Sequence, residues 1–264
     1  MVAILLTADR PEFTRQAVEC FRAQTYSNKR LLVWDSSAKP PEIDYAGLPE
    51  DEYYIRDWNP LVIGQLRNKA NEYAVSGEAF APVDILIHLD SDDWSHPNRI
   101  AEQVALLQSS GADVVGYNEM LFWREPHSEL NVLENNPHKF EELFPGEAWL
   151  YSNKDRRYPP GSSLCYWRKT WEAKPFAATS IGEDEKFCRG LKVFSVSCLP
   201  QRTSPLIGMP EPPAGNDPRM IARIHPGNTS TAYSPSKMEA EARKKDGMWK
   251  RVPMWDSFCA ETMR

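Results

Sequence analysis

The sequence predicts an α/β protein in which a mostly parallel, mixed sheet is flanked by helices, with an irregular insertion and a C-terminal extension. Two observations support this fold class. Apolar runs typical of buried strands alternate with segments of helical periodicity through the first half of the chain, and repeated units of that kind form parallel sheets. The apolar run at residues 85–89 is then followed by three acids within four residues, in the segment LDSDDW at residues 89–94.

The first half of the chain contains the predicted strand–helix units. Strands are predicted at residues 2–6, 30–35, 53–55, 84–89 and 113–117. The first helix begins at Pro11, because proline is favoured at the first helical position, and a second helix covers residues 64–74. A third helix begins at Ser95, a good N-cap residue, with Pro97 near its first turn. Right-handed crossovers between such units give a doubly wound sheet.

The second half is less regular and contains many of the 22 prolines. Residues 122–160 are polar, aromatic and proline-containing, which favours an insertion or a small antiparallel lobe. Further strands are predicted at residues 164–167, 192–198 and 220–224, and helices at residues 183–191 and 239–245. We expect one domain over residues 1–232, with halves at 1–120 and 121–232, and a helical extension over residues 233–264.

Composition argues against several classes of protein. The net charge of −6 disfavours a protein that coats nucleic acid, although a local basic face stays possible. The five cysteines include no CxxC pair, which favours reduced thiols in the cytoplasm over disulfides or a zinc site. No apolar run approaches the roughly 20 residues of a membrane span. The N-terminal run MVAILL lacks a basic leader, so it is interpreted as a strand rather than a signal peptide.

The acid cluster of Asp90, Asp92 and Asp93 is the strongest functional signal. A buried strand that ends there places the acids at the carboxyl edge of the sheet, where ligands bind in open α/β folds. Crowded acids repel each other unless a cation joins them, and hard oxygen ligands suit Mg²⁺ or Mn²⁺. The alternative is an ordinary polar turn, since Asp and Ser are common turn residues. His88, inside the apolar run, is interpreted as a packed core residue.

Five segments of the first half occur in an informative order. They are TADRP (7–11), QTY (24–26), DSS (35–37), GQLRNKA (64–70) and LDSDDW (89–94). Each segment is a weak signal alone, but in this order and spacing they resemble the inverting, family-two glycosyltransferases with the Rossmann-like GT-A fold. The resemblance covers roughly residues 2–110 and resumes at two shorter motifs later in the chain.

The resemblance implies a site for a nucleotide-diphosphate sugar, with a UDP-sugar as the favoured donor. Thr7, Arg10 and Asp35 match the positions at which the family holds the base and ribose. Arg67 matches a position that contacts the nucleotide-sugar in the family. The alternative for Arg67 is a surface position on its helix.

The resemblance also implies a divalent cation, Mn²⁺ or Mg²⁺. Asp90 and Asp92 match the family's DxD pair, in which the first acid usually faces the ribose and the second reaches the metal on the diphosphate. His225, in the segment RIHPGNTS at residues 223–230, matches a late histidine that many GT-A enzymes place on the metal. Arg223 would neutralise the diphosphate or lie at the surface. Asp93 is interpreted as a supporting or capping acid.

The segment IGEDEKF at residues 181–187 carries the implied catalytic base. In the family, an acid at this position takes the proton of the acceptor hydroxyl. Asp184 is the best match and Glu183 is second. A structural role is the alternative, because acids at the start of a helix are stabilised by the helix dipole.

These expectations describe a metal-dependent inverting glycosyltransferase of the hexosyltransferase type. The acceptor stays open between a saccharide, a protein, a lipid head group and a hydroxymethylated base of phage DNA. Basic and aromatic residues of the C-terminal stretch, such as Trp249 and Lys250, would suit a phosphate-rich partner, but a solvated helix and a packed tail are favoured. The alternatives are a nucleotidyltransferase, which normally has a glycine-rich loop after its first strand, and a non-catalytic nucleotide-sugar-binding module.

Overall fold

A mixed, mostly parallel sheet flanked by helices forms the centre of the protein. The computed structural model describes residues 1–39, 49–80, 82–132, 139–144, 146–153, 158–199, 217–225, 235–244 and 247–263. One half of the sheet consists of four parallel strands: β1 (Val2–Thr7), β2 (Arg30–Asp35), β3 (Glu52–Arg56) and β4 (Ile85–Asp90). β1 lies between β2 and β4.

The other half of the sheet is mixed. The strand order through the whole sheet is β13-β9-β6-β10-β4-β1-β2-β3, while β11 and β12 pair in parallel with successive parts of β6, and β5 pairs with β12. β7 and β8 form a separate antiparallel pair. The bounds of these strands are β5 (Trp94–Ser95), β6 (Val114–Arg124), β7 (His127–Val132), β8 (Lys139–Phe144), β9 (Glu147–Ser152), β10 (Cys165–Trp167), β11 (Val193–Ser197), β12 (Met220–Ile224) and β13 (Trp249–Arg251).

Helices cover both faces of the sheet. Successive side chains of each strand point to opposite faces, so each face has its own hydrophobic core. Ala3 and Leu5 of β1 belong to the core that contains α1 and α3, whereas Val2 and Ile4 belong to the core that contains α2, α4 and α5. A third core, around β6, β9 and β12, also takes in the C-terminal helices. The helices are α1 (Pro11–Arg22), α2 (Ile63–Val75), α3 (Arg99–Ser110), α4 (Arg168–Ala173), α5 (Glu183–Cys188), α6 (Pro235–Ala242) and α7 (Asp256–Thr262).

The register of the parallel strands brings three predicted site segments together. Thr7 at the end of β1 lies opposite Asp35 at the end of β2, and Leu6 lies opposite Asp90 at the end of β4. The carboxyl ends of the three strands therefore share one edge of the sheet, as the α/β fold requires for a ligand site.

The predicted fold class is confirmed, and so are the strands of the first half. The predicted start of the third helix is wrong: α3 begins at Arg99, and Ser95 belongs to β5, where it pairs with Met220 of β12. At Ser95, pairing with a strand far along the chain overrides the local sequence pattern that favours a helix cap. His88 is a packed core residue, as predicted: it is fully buried and its Nε2 lies 2.6 Å from the Tyr166 hydroxyl.

The region predicted as an insertion or a small antiparallel lobe contains antiparallel strands. β6 continues through residues 122–124 of the predicted irregular region, and that region supplies both the β7–β8 pair and β9. The predicted domain boundary at residue 232 lies outside the described residues, and the boundary at 120 falls inside β6. The C-terminal extension contains a strand, β13, as well as helices.

The C-terminal stretch is packed onto the sheet. Trp249 is buried, and Arg251 forms a bidentate ion pair with Asp256, with nitrogen–oxygen distances of 2.8 and 2.6 Å. These contacts favour the packed tail over a phosphate-binding surface. The five cysteines are free thiols. Within the described part of the chain, no helix is long and apolar enough to cross a membrane.

Replacing Asn68 with alanine should destabilise the fold by about 2 kcal/mol. Its amide donates to the Phe176 carbonyl (2.9 Å) and accepts from the Phe176 N–H (2.9 Å) and the Trp171 indole N–H (3.0 Å). Their loss leaves several half-buried polar groups without partners, which carries the desolvation penalty of each. Urea denaturation measures the loss. The control, Asn59→Ala at an exposed position, should change stability by less than about 0.5 kcal/mol; an equal effect would contradict this account.

Candidate active site

The acid cluster lies where β4 reaches the carboxyl edge of the sheet. Asp90 is the last residue of β4 and is half-buried, whereas Asp92 and Asp93 are each only 7% exposed. Burial raises the pKa of Asp93 well above its usual range, and the charges of Asp92 and Asp90 raise it further. Carboxylates this close in a low-dielectric region repel each other, so positive groups nearby decide whether they can remain charged.

Asp92 is held by Arg10 and His225. Its Oδ2 lies 2.9 Å from Arg10 Nη1 and 2.9 Å from His225 Nε2. Burial opposes ionisation of Asp92, but the hydrogen bond from His225 and the charge of Arg10 outweigh it, and the pKa of Asp92 is lowered. The structure therefore brings three predicted site residues together. Arg10 comes from the loop after β1, Asp92 from the loop after β4, and His225 directly follows β12.

Asp93 turns toward the supporting structure. Its Oδ1 accepts the backbone N–H of Arg223 at 3.3 Å, and the Ser162 hydroxyl also donates to its carboxylate. These contacts tie the acid segment to β12 and to the 3₁₀ turn Gly161–Ser163. They agree with the interpretation of Asp93 as a supporting acid.

Arg67 connects the acid cluster to the predicted base segment. Its Nη2 lies 3.8 Å from Asp90 Oδ1 and its Nε lies 3.5 Å from Glu183 Oε1. The side chain is 4% exposed, so the surface alternative for Arg67 is wrong. Burial disfavours its charge, but Asp90 and Glu183 outweigh burial and raise the pKa of Arg67.

A glycine makes room for this arginine. A Cβ atom added to Gly161 would lie 2.4 Å from Arg67 Nη2 and 3.3 Å from Glu183 Oε1. Any side chain at residue 161 would therefore push the guanidinium away from the two acids. This close approach depends on the packing of α2 against α5 and is not visible in the sequence.

Asp184 and Glu183 occupy the first turn of α5. Asp184 Oδ2 accepts the N–H of Gly161 at 3.0 Å, and its Oδ1 accepts the N–H of Glu185 at 2.7 Å. Burial raises the pKa of both carboxyls, while Arg67 opposes the shift in each. Glu183 is paired with Arg67 and is 7% exposed, whereas Asp184 is held by backbone N–H groups and is less buried.

Thr7 and Asp35 lie at the same edge of the sheet as the acid cluster, and both side chains are buried. Thr7 Oγ1 lies 2.6 Å from Thr14 Oγ1. Asp35 is 2% exposed, and its carboxylate accepts from the Ser37 N–H at 2.8 Å and from the Tyr54 hydroxyl. The Ser37 hydroxyl in turn accepts the N–H of Asp9 at 2.7 Å, and Asp9 has a left-handed φ of 53°. Asp35 thus shapes the loop after β1.

Arg223 does not lie at the surface. Its Nη2 donates to Gln16 Oε1 and to the Met263 carbonyl, both at 2.8 Å. Its Nη1 pairs with Glu125, and the guanidinium stacks 4.5 Å from the centre of the Phe13 ring. These contacts commit the guanidinium to α1 and the end of α7, while the backbone of Arg223 holds Asp93. Residues 226–230 of the same predicted motif lie outside the described residues.

A sequence model described as glycosyl transferase family 2 matches residues 3–144, which is more than half of the 264-residue chain. The chain belongs to this family. The match includes the segments that contain Thr7, Arg10, Asp35, Arg67 and the acid cluster. No curated protein sequence matches the chain.

Solved structures support the GT-A fold of this family 2 glycosyltransferase. S. aureus TarS residues 1–349 in complex with UDP-GlcNAc superimposes with a TM-score of 0.54 at 12% identity, covering 91% of this chain and 64% of that one. GalNAc-T7 with UDP, GalNAc and Mn²⁺ superimposes with a TM-score of 0.54 at 11% identity, covering 84% of this chain and 43% of that one. The chain spans 36% of the longer TarS chain that it also matches.

Several buried residues that hold this edge of the sheet together were not predicted from the sequence. Arg99 is fully buried at the start of α3, and Gln24 of the QTY segment accepts the N–H of Ile100 at 2.9 Å. Gln24 Nε2 also donates to the His96 carbonyl at 2.8 Å. The QTY segment therefore positions α3. Polar residues on an otherwise apolar helix face, such as Arg99 and Gln103, were the available signal.

Arg67→Met should destabilise the protein by about 3 kcal/mol at pH 7, because it leaves buried carboxylates without their counter-charge. In the variant, the pKa of Glu183 rises further above its unfolded value. The folded state then binds more protons than the unfolded state between those two pKa values, so stability falls as pH rises through that window. The deficit should be largest at pH 7 and shrink below about pH 5.

Denaturant unfolding at several pH values measures this deficit. The control is Arg189→Met, because Arg189 pairs with Glu185 at 3.1 Å but is 72% exposed. The control should change stability by less than about 0.5 kcal/mol at every pH. A pH-independent deficit for Arg67→Met would show that packing, and not charge, is what Arg67 supplies.

Proposed function

We propose that this family 2 glycosyltransferase is a metal-dependent, inverting enzyme of the hexosyltransferase type that moves a sugar from a nucleotide-diphosphate sugar to an acceptor hydroxyl. The observation that carries the proposal is the position of Arg67. Its guanidinium reaches both Asp90, which ends β4 at the acid segment, and the acid pair at the start of α5, through Glu183. This bridge supports the proposal that the implied donor segment and the implied base segment belong to one site.

The favoured donor is a UDP-sugar. Two proteins of similar fold are described with UDP-GlcNAc and with UDP and GalNAc. In this chain, the loop after β1 with Thr7 and Arg10 would face the nucleotide, with Asp35 at the end of β2 supporting that loop, and Asp90 would face the ribose. Because the Asp35 carboxylate is satisfied by Ser37 and Tyr54, we assign it the role of shaping this nucleotide loop.

Asp92 and His225 would hold a Mn²⁺ or Mg²⁺ ion, with Asp90 as a further ligand. These residues fit a cation in part. His225 Nε2 lies 2.9 Å from Asp92 Oδ2, and carboxylate oxygens suit these cations. Asp90 lies near Arg67, with 3.8 Å between its Oδ1 and Arg67 Nη2. Among the described residues, no three His, Cys, Asp or Glu side chains form a metal-binding group. When bound, the cation would stabilise the charge that develops on the leaving diphosphate. GalNAc-T7 is described with Mn²⁺.

Asp184 is the proposed general base and Glu183 the second choice. Glu183 is engaged with Arg67, whereas each oxygen of Asp184 accepts one backbone N–H and keeps a further lone pair. Asp184 would take the proton of the acceptor hydroxyl as that oxygen attacks the anomeric carbon from the face opposite the diphosphate. Attack from that side inverts the configuration through an oxocarbenium-like transition state.

We place the donor half in residues 1–120 and the acceptor and catalytic half in residues 121–232, with 233–264 as an extension. The five free thiols favour a cytoplasmic location. The acceptor is a saccharide, a protein, a lipid head group or a modified DNA base. Because Trp249 and Arg251 are engaged within the protein, the C-terminal stretch does not favour the DNA acceptor over the others.

The proposal is tested by incubating the protein with a panel of nucleotide-sugars, with Mn²⁺ or with EDTA, and measuring free nucleoside diphosphate. We expect Mn²⁺-dependent release from at least one UDP-sugar. Asp92→Ala should reduce release to the level seen with EDTA, because Asp92 is the central ligand of the proposed site. The control, Asp84→Ala, removes an exposed acid near the opposite end of β4 and should leave release unchanged. Release that is equal with Mn²⁺ and EDTA would contradict metal dependence.

Asp184→Asn should lower kcat for transfer by roughly 100-fold or more, because the amide cannot take a proton, while donor binding stays within about twofold. Since burial raises the pKa of Asp184, wild-type kcat should fall on the acidic side as the base becomes protonated above the usual Asp range. The matched control is Glu185→Gln, at a more exposed acid of the same helix. This variant should have the wild-type kcat and the same fall in kcat at acidic pH. Near-normal transfer by Asp184→Asn would move the base assignment to Glu183.

A further inference from the structure

The 3₁₀ turn Gly161–Ser163 binds the proposed base but is held from the opposite face of the sheet. The Gly161 N–H donates to Asp184 Oδ2 at 3.0 Å. Asp184 belongs to α5, whose apolar residues lie in the same core as α2 and α4. The side chain that binds the far end of the turn comes from α3, which packs in the other core.

That side chain is Gln103, a buried amide that the proposed reaction does not use. It is 2% exposed and lies among the apolar core residues Ile100, Val104 and Leu107 of α3. Its Nε2 donates to the Ser163 carbonyl at 2.7 Å, and its Oε1 accepts from Arg99 Nε at 3.2 Å. A buried amide costs free energy unless its donor and acceptor are both bonded. The bond to the turn therefore accounts for a polar residue at this core position.

The turn is held by its own hydrogen bonds, so a contact that fixes Ser163 also fixes Gly161. The Ser163 hydroxyl donates to the Pro160 carbonyl at 3.0 Å and accepts the N–H of Tyr117 in β6 at 3.1 Å. The Ser163 N–H donates to the same Pro160 carbonyl at 2.9 Å. Gly161 lies between these two anchored residues, and its N–H direction follows from their positions.

We propose that Gln103 is a positioning residue for the base: through the Ser163 carbonyl it holds the turn where the Gly161 N–H binds Asp184, and so it orients this carboxylate toward the acceptor. The other oxygen of Asp184 accepts the N–H of Glu185 in its own helix. The bond from Gly161 is thus the one that ties the carboxylate to a different element. A base is effective only in the correct orientation. The catalytic consequence rests on the proposed function, whereas the chain of hydrogen bonds does not.

Hydrogen exchange of the Gly161 amide, followed by NMR without donor or metal, tests this chain of hydrogen bonds. Gln103→Met keeps a side chain of similar size and loses both hydrogen bonds. We expect the Gly161 amide to exchange roughly tenfold faster than in the wild type, because its acceptor is no longer fixed. Asp184→Ala, which removes the acceptor itself, should give a comparable increase. The matched control is Gln108→Met, at an exposed glutamine of α3, which should leave the exchange rate unchanged.

Kinetics tests the consequence for the base. Gln103→Met should lower kcat roughly 10-fold while the donor KM stays within about twofold, and the fall in kcat at acidic pH should move to higher pH. Burial raises the pKa of Asp184, and the N–H from the turn opposes this shift, so loss of that bond raises the pKa further. Arg67, Glu183 and the Cys188 thiol also act on Asp184, and the variant changes none of them. A loss of stability alone would not move the acidic limb.

Ser163→Ala is the second variant, for the case that Gln103→Met does not fold. It removes one oxygen atom from the same turn and should change Gly161 exchange and the acidic limb in the same direction. Wild-type exchange at Gly161 in folded Gln103→Met, or in Ser163→Ala where Gln103→Met does not fold, would overturn the proposal. Faster exchange with an unchanged acidic limb would overturn the positioning of the base. If the wild type releases no nucleoside diphosphate, the proposed function fails, and amide exchange still decides whether Gln103 holds the turn to Asp184.

Discussion

The structure depends on how a cluster of carboxylates is kept at the end of a buried strand. Asp90 is the last residue of β4, Asp92 and Asp93 follow within three residues, and the latter two are almost fully buried. Their mutual repulsion in a medium of low dielectric would be prohibitive without positive charge close by. Positive charge within ion-pair distance of these carboxylates comes from Arg10 at Asp92 and from Arg67 at Asp90.

Each arginine near this edge holds a different part of the candidate site. Arg10 brings the loop after β1 to Asp92, and Arg67 brings α2 to Asp90 and to α5. Arg99 ties the start of α3 to β4 and to the Gly161–Ser163 turn through the carbonyls of His88 and Ser162. The segments that would bind a donor and activate an acceptor are therefore arranged around one set of charges. A site of this kind is preorganised, because its groups are in place before a substrate binds.

The sequence was sufficient for the features that depend on local pattern. The apolar runs of β1, β2 and β4 and the periodicity of α1 and α2 are strong signals, and the order of the motifs identified the family and fold. The sequence was insufficient where distant segments compete with local preference. Ser95 has the pattern of a helix cap, yet its backbone pairs with Met220. Arg67 and Arg99 look like ordinary helix residues until packing buries them, and the contacts of Arg223 depend on the end of α7.

The central claim, that the edge at Asp90, Asp92 and Arg67 is the donor site, is tested most directly by anomalous diffraction from crystals grown with Mn²⁺ and UDP. We predict one strong manganese peak bonded to Asp92 and His225, with the diphosphate beside it and the nucleoside toward the loop after β1. A manganese peak bound elsewhere, or UDP bound away from this edge, would contradict the account.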